Sequence, residues 1–409
     1  MNLQNRYLSL VEFLRPYAPF WQHEVLNNYP VTMDAYPKEW LDLLASKEDQ
    51  ELHQIDGRNN PDSLIGSSLA DFIQQAQDLV LWPKESYNPE PLPAWAYKKV
   101  KEKKKHEIDC LREVIIPLKE KAGFTKMADI GGGIGNLSRI MAHYHSLPTT
   151  CLDMNEDFLE KGKLRRSKYP LPEQAAKLDF EKFKFGSDTG DVVRKHFATD
   201  SLTLGLHTCG PLALEHIKSF HHYRGNAMLN FGCCYAKLDP IKETNISSFA
   251  KEHPLEFTIH GLTLATRSHS TMTFEEFLLK KRVKSFRYSL HLFLKEVLGH
   301  TEFATIGEAL PSVYWGDFSD YALLKLEKLG EKNLPTKRDL DQFYKDPKIT
   351  EQVHHMFLAN IIRWQLGRAV EFTIILDRCL FLLEQGHKVE LLQVFNEELS
   401  PRNLGILSY

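Results

Sequence analysis

The chain has 409 residues, 43% of them hydrophobic, with 51 lysines and arginines against 54 aspartates and glutamates and a net charge of -3. That length suits one large or two smaller domains with a sizeable core, and the balanced charge excludes a global field aimed at nucleic acid. Six cysteines, mostly in apolar runs, and no secretory leader at Met1–Leu14 predict reduced thiols and a cytoplasmic location. No apolar run is long enough to span a bilayer, and there is no internal repeat or low-complexity segment.

Residues 1–97 read as a helical N-terminal segment. Leu8, Val11 and Leu14 keep helical spacing, as do Trp40, Leu43 and Leu44, and Leu69, Phe72, Ile73 and Ala76. The polar stretch 47–60 reads as a loop, and Pro83, Pro89, Pro91 and Pro93 mark a connector. A helix is expected over 101–122, with Ile108, Leu111, Ile115 and Leu118 on its buried face and Gly123 as its C-terminal cap. The apolar approach Met127 to Ile130 then runs into Asp129-Ile130-Gly131-Gly132-Gly133-Ile134-Gly135, and a helical pattern follows over 136–145.

From there strands and helices alternate. Short strands are expected at 149–152, ending in Asp153; at 175–178, closed by Asp179-Phe180; at 201–206, running into His207-Thr208-Cys209-Gly210; and at 227–231, running into Gly232-Cys233-Cys234-Tyr235. Helices fall at 157–168, 192–197 and 211–220. This is the pattern of a parallel sheet covered on both faces, whose ligands bind at the carboxyl ends of the strands. A long basic helix is expected over 273–298, a polar loop over 336–349 and one long helical run over 352–385. Two last strands, 389–394 and 404–409, complete a seven-stranded Rossmann-like sheet.

The unusual residues sit at strand ends. Gly131, Gly133 and Gly135 after Asp129 make a turn into a helix N-terminus, a cradle for a nucleotide-like cofactor. Asp153, with Met154 beside it, lies where a carboxylate binds a ribose diol, although a helix cap is the alternative. Asp179 and Phe180 suit an adenine amino group and its ring. Gly-x-Gly-x-Gly spacing, with no pyrophosphate to cradle, leans toward S-adenosyl-L-methionine rather than a nicotinamide. Lys104 and His106, with Glu107, lie on the helix that passes over the cofactor's amino-acid end, where a lysine can pair with a carboxylate.

His207, Cys209, Cys233 and Cys234 end neighbouring strands, and three readings stand side by side. They line an acceptor pocket with Tyr235, they bind zinc as a His-Cys-Cys-Cys set, or they are packing residues. The order lacks the usual finger spacing, and the expectation carries no metal.

These residues together resemble the methyltransferase-like 25 family, which includes relatives named for a ribosomal RNA adenine dimethylase-like domain. The matching stretches are Lys103-Lys104-Lys105-His106-Glu107, Asp129 to Gly135, Leu206-His207-Thr208-Cys209-Gly210, Gly232-Cys233-Cys234-Tyr235, Ile375-Leu376-Asp377-Arg378 and Leu399-Ser400-Pro401-Arg402-Asn403. The resemblance implies a class I S-adenosylmethionine-binding fold over 98–409, with a helical insertion at about 245–350. Adenine N6 enzymes carry Asn/Asp-Pro-Pro-Tyr/Phe where His207-Thr208-Cys209-Gly210 stands here. RNA cytosine C5 enzymes place cysteines as Cys209 and Cys233 are placed, but in Pro-Cys and Thr-Cys-Ser contexts absent from this chain.

The expectation is therefore a methyltransferase with His207 as the first candidate base and a macromolecular acceptor, RNA or protein. Three basic runs, 98–105, 161–168 and 280–287, motivate that acceptor. The competing readings are a scaffold that keeps the fold without turnover, and an RNA cytosine C5 enzyme using Cys209 and Cys233.

Overall fold

Seven strands form one sheet in the order β3-β2-β1-β4-β5-β7-β6. They are β1 (Lys126–Ile130), β2 (Thr149–Asp153), β3 (Leu178–Lys182), β4 (Ser201–Cys209), β5 (Ala227–Cys233), β6 (Val389–Gln393) and β7 (Leu404–Ser408). The structure, a computed structural model, describes residues 2–58, 62–168, 170–184, 190–267 and 272–409. β1 to β5 pair in parallel, and β7 lies antiparallel between β5 and β6. The seven-stranded α/β sheet expected from the alternating pattern is present.

The central strands are continuous apolar runs because both of their faces are covered. Leu202, Leu204, Ala227, Leu229 and Phe231 are buried among Ile108, Leu111, Ile115 and Leu118 of the helix Glu102–Ala122 and Leu137, Ile140 and Met141 of the helix Asn136–Tyr144. The first of these helices ends as its sequence indicates. Gly123 takes φ +72°, and its N–H closes on the Lys119 carbonyl at 2.9 Å.

Four local expectations are corrected. The stretch 47–60 contains the helix Asp49–Asp56, opened by a capping box between Glu48 and Glu51; positions 59 and 60 lie outside the described residues. The polar segment 336–349 likewise holds the helix Lys337–Tyr344, capped by Thr336 and Asp339. In both, an amphipathic stripe too short to stand out from its charged neighbours is stabilised by burial of Leu52 and Ile55, or of Leu340. The run 352–385 is two helices, Pro347–Trp364 and Gly367–Glu384. The third strand begins at Leu178, so Asp179 and Phe180 lie inside β3 rather than at its end. β3 is an edge strand, and its charged residues suit an edge.

The chain divides into two compact units. The first holds the sheet and comprises Met1–Phe13, Leu79–Arg267 and Ala369–Tyr409. The second comprises Leu14–Asp78 and Ser268–Arg368. This differs from the expected division into a segment 1–97 and an insertion 245–350, because the N-terminal helices and the insertion form one core. Lys280 binds the Asp56 carboxylate at 2.6 and 2.8 Å, Gln365 donates to the Ile55 carbonyl at 2.8 Å, and Arg363 donates to the His23 carbonyl at 2.8 Å. Phe20, Tyr36, Trp40 and Phe72 stack together within that unit. Among the described residues no helix is long and apolar enough to cross a membrane.

Phe180 is fixed by two glycines. A Cβ on Gly162 would stand 2.4 Å from the ring, and one on Gly135 would stand 2.7 Å from it. The variant Gly162→Ala is expected to lose about 1–3 kcal/mol of stability, the usual cost of overpacking. Urea unfolding followed by circular dichroism reads this as a lower midpoint at an unchanged slope, and an unchanged midpoint would refute it.

Candidate functional site

The carboxyl edge of β1 and β2 is a glycine cradle. Gly131, Gly133 and Gly135 have φ values of +70°, +60° and +68°, a region that L side chains rarely adopt. At Gly132 the requirement is space, since a Cβ there would lie 2.7 Å from the Cys151 sulfur and 2.8 Å from the Asp129 carboxyl. The Asp129 side chain is buried and accepts a hydrogen bond from Ser138 at 2.5 Å; burial pushes its pKa up.

Asp153 ends β2 half-buried. Its Oδ2 accepts from the Gly133 N–H at 2.9 Å and its Oδ1 from the Asn155 N–H at 2.8 Å. The carboxylate therefore braces the glycine turn, and each oxygen keeps a lone pair for a further donor. The cap of the following helix is Asn155, which leaves Asp153 for the ligand side. Met154 next to it is 63% exposed, an apolar side chain at the open rim. The backbone and carboxylate thus fit a nucleoside-bearing cofactor.

Asp179 and Phe180 do not join this rim. Asp179 pairs with Lys177 at 2.7 Å, and Phe180 packs beneath the glycine turn. Both are displaced because β3 runs four residues beyond its expected end.

Across the sheet, β4 bulges between Leu206 and Thr208. His207 at this bulge has φ +59°, the left-handed region that few residues other than glycine adopt. Its Nε2 lies 2.7 Å from Glu107 Oε1. Glu107 has no exposed surface. It also accepts from Ser400 Oγ at 2.7 Å and pairs through Oε2 with Lys104 Nζ at 2.8 Å. Burial alone would push the Glu107 carboxyl up, but the His207 ring and the Lys104 ammonium outweigh it and hold the pKa at about 2. An ionised Glu107 requires His207 to carry its proton on Nε2. With Nε2–H turned to Glu107, Nδ1 is the ring nitrogen left for another partner.

Lys104 pairs with Glu107 and lies in the field of Asp129. His106 accepts the Asn396 N–H at 2.9 Å through Nε2 and its ring packs against Phe395, so it anchors the β6–β7 connection instead of facing the cradle.

Three thiols converge beside His207. Cys209 Sγ is 3.2 Å from both Cys233 Sγ and Cys234 Sγ, and these last two are 3.7 Å apart. The contact with Cys233 lowers the Cys209 pKa against the effect of burial, with Cys234, Lys237 and His207 adding to the shift. The same interaction pushes Cys233 up.

Tyr235 is not available to an acceptor, contrary to expectation. It is fully buried, donates to the Gly232 carbonyl at 3.3 Å and lies between the guanidinium groups of Arg378 and Arg402, 5.6 and 5.8 Å from its ring. Arg402 in turn donates to Glu371 at 2.8 Å, and Asp377 accepts from the backbone and hydroxyl of Ser247 at 2.9 and 2.8 Å. The motifs around Asp377 and Arg402 thus support the strand ends from behind.

Sequence reasoning left Glu107, Ser400, Arg378 and Arg402 without roles. A signal existed for Glu107: it stands four residues before Leu111, on the apolar stripe of its helix. A carboxylate on such a stripe needs a partner.

The depressed value of Glu107 makes it a pH-dependent support. Its stabilisation, roughly 3 kcal/mol at 1.4 kcal/mol per pKa unit, is present above its unfolded value of 4.5 and is lost as pH falls through about 2. The difference in unfolding free energy between wild type and Glu107→Gln should be largest near neutral pH and shrink between these limits. A difference that does not vary with pH would show that Glu107 titrates alike in the folded and unfolded chain, and one that falls as pH rises would show that it is neutral when folded.

A family profile described as "Methyltransferase domain" matches residues 103–240, which contain the glycine cradle, Asp153, His207 and all three converging thiols. A human protein named "Probable methyltransferase-like protein 25" is 25% identical over 240 residues, an alignment that covers 54% of this chain and 38% of the human protein. The chain thus matches well under half the length of that relative. Residues 103–240 thus match a methyltransferase domain, and the sheet order with its antiparallel seventh strand is that of a class I methyltransferase fold.

Proposed function

We propose that the chain is an S-adenosylmethionine-dependent methyltransferase acting on a macromolecular acceptor. The observation that carries the cofactor reading is the bond between the Gly133 N–H and Asp153 Oδ2. It locks the glycine turn to a carboxylate in the place where a ribose diol binds in sheets of this order. Asp153 would take the ribose, the turn after Asp129 would give its backbone to the amino-acid moiety, and Lys104 would pair with that moiety's carboxylate. Met154 offers an apolar edge to the base. The bound cofactor supplies an electrophilic methyl group.

The protein's contribution is then positioning and proton handling. His207 is held by Glu107 with Nδ1 as its basic atom, so an acceptor N–H or O–H at that nitrogen would lose its proton to His207.

The macromolecular acceptor rests on the exposed lysines 98, 99, 101 and 103, which flank the helix bearing Lys104 and Glu107. The other two basic runs support it less than their composition suggested. Lys280 and Lys281 pair with Asp56 and Asp49. Arg165 and Arg166 donate to Asn136 and to the Leu178 carbonyl.

Calorimetry with S-adenosylmethionine is expected to show binding that Asp153→Ala weakens about 10–100-fold, the worth of one or two hydrogen bonds to a charged group. No heat at millimolar cofactor would favour the scaffold reading. Tritiated methyl transfer into fractionated RNA and protein from cells lacking the protein tests the acceptor, and label in neither fraction would refute it. His207→Ala should slow that transfer about 10²–10⁴-fold in a chain that circular dichroism shows to be folded. Full turnover in this variant would remove the base role.

A further inference from the structure

The geometry points to a metal site: we propose that Cys209, Cys233 and Cys234 hold one zinc ion through three thiolates, with a fourth coordination position left to water or to an acceptor atom. The three Sγ atoms all lie within 3.2–3.7 Å of one another. Among the described residues this is the one group of three or more histidine, cysteine or acidic side chains gathered closely enough to hold a metal. Tetrahedral Zn–S bonds of about 2.3 Å place sulfurs roughly 3.8 Å apart. The cluster reaches that spacing by opening a few tenths of an ångström.

The backbone is shaped to make this convergence. Cys209 and Cys233 are register partners at the ends of β4 and β5. Adjacent residues of an extended strand point to opposite faces, so Cys234 would ordinarily turn away from Cys233. It does not, because Cys234 takes φ +52°, a left-handed conformation that L residues other than asparagine and aspartate seldom adopt. The kink is held by hydrogen bonds from the Gly210 N–H to the Cys233 carbonyl and from the Lys237 N–H to the Cys234 carbonyl, at 2.9 and 3.0 Å. Strain retained to bring two vicinal thiols onto a third is not what packing asks of a cysteine. The buried cysteines Cys110, Cys151 and Cys379 lie apart from one another and from this cluster and need no such turn.

The charge environment agrees. A three-thiolate zinc centre carries one net negative charge. Behind β5, a Cβ on Gly232 would lie 2.7 Å from the Arg378 guanidinium. Arg378 is 2% exposed, lies over the Tyr235 ring and is in the field of Asp377 and Glu243. Three soft sulfur donors select zinc over magnesium or calcium. Cys209 and Cys234 are only half-buried, so the ion would be reached from solvent. Among the described residues the donors close enough to share an ion are the three thiols and do not include His207, which leaves the fourth position to water or an acceptor atom. Three protein ligands with one open position is the arrangement of catalytic rather than structural zinc.

The test is metal content, and it is independent of methyl transfer. Full-length chain purified without chelator should contain close to one zinc per chain. Adding zinc to the reduced, metal-stripped chain should release protons, because each coordinating thiol gives its proton to solvent. Cobalt in place of zinc should give the near-ultraviolet thiolate-to-metal band. Cys209→Ser and Cys234→Ser should each lower zinc affinity at least tenfold, while Cys379→Ser should bind as wild type does. Circular dichroism of the half-exposed Cys234→Ser variant separates lost binding from lost folding. The proposal is overturned if reduced wild type takes up no stoichiometric zinc and shows no cobalt band. It is equally overturned if both cluster variants bind as tightly as wild type, or if mass analysis finds a disulfide within the cluster of the chain as isolated.

Discussion

A carboxylate with no contact with solvent persists in a protein only when its partners replace the water it has lost, and Glu107 is such a group. Its partners come from distant parts of the chain: His207 from the bulge of β4, Ser400 from the connection between β6 and β7, and Lys104 from its own helix. One buried charge therefore ties the helix that precedes the sheet to the centre and the far edge of that sheet. The left-handed backbone of His207 is affordable because this bond over-determines the position of its ring. Removing any partner would leave a buried charge uncompensated, so the site's electrostatics and the sheet's integrity are the same interaction.

Around that anchor the work is divided by element. Strand ends and turns carry the groups with chemistry to offer, namely the glycine cradle, Asp153, His207 and the three thiols. The C-terminal helix Gly367–Glu384 and the loop after β6 carry the groups that hold them. Arg378 and Arg402 enclose Tyr235, and Asp377 caps the turn at Ser247. Tyr235 thus belongs to the support. Its hydroxyl is occupied, and burial raises its pKa. A short stretch of sequence can in this way hold a cysteine pair with chemical potential next to an aromatic residue with none.

The helical unit illustrates how charge runs mislead. The run 280–287 has the composition of a nucleic-acid surface, yet Lys280 reaches the buried Asp56, Lys281 reaches Asp49, and Arg282 donates to the carbonyls of Tyr314 and Gly316. The two lysine pairs join two stretches of chain, 14–78 and 268–368, that are separate in sequence and form one core. A cavity of about 460 Å³ lies within this unit, lined in part by Lys281, Ser285, Tyr344 and His354.

The alternation of short apolar strands with helices, the glycine turn, the position of Asp153 and the gathering of cysteines at two strand ends were all legible in the sequence. Each depends on local periodicity or on the φ preference of one residue. Strand limits at the sheet edge were not legible, because the polar residues of β3 match those of a loop. The short helices at 49–56 and 337–344 were hidden for a similar reason, since their stability comes from burial of one or two side chains. What only the tertiary structure decided is which side chains meet. Glu107 and Ser400 are 293 positions apart, and Glu107 and His207 are 100 apart. No propensity links such residues. Their pairing follows from sheet order and register, which fold the chain so that a buried carboxylate finds its donors.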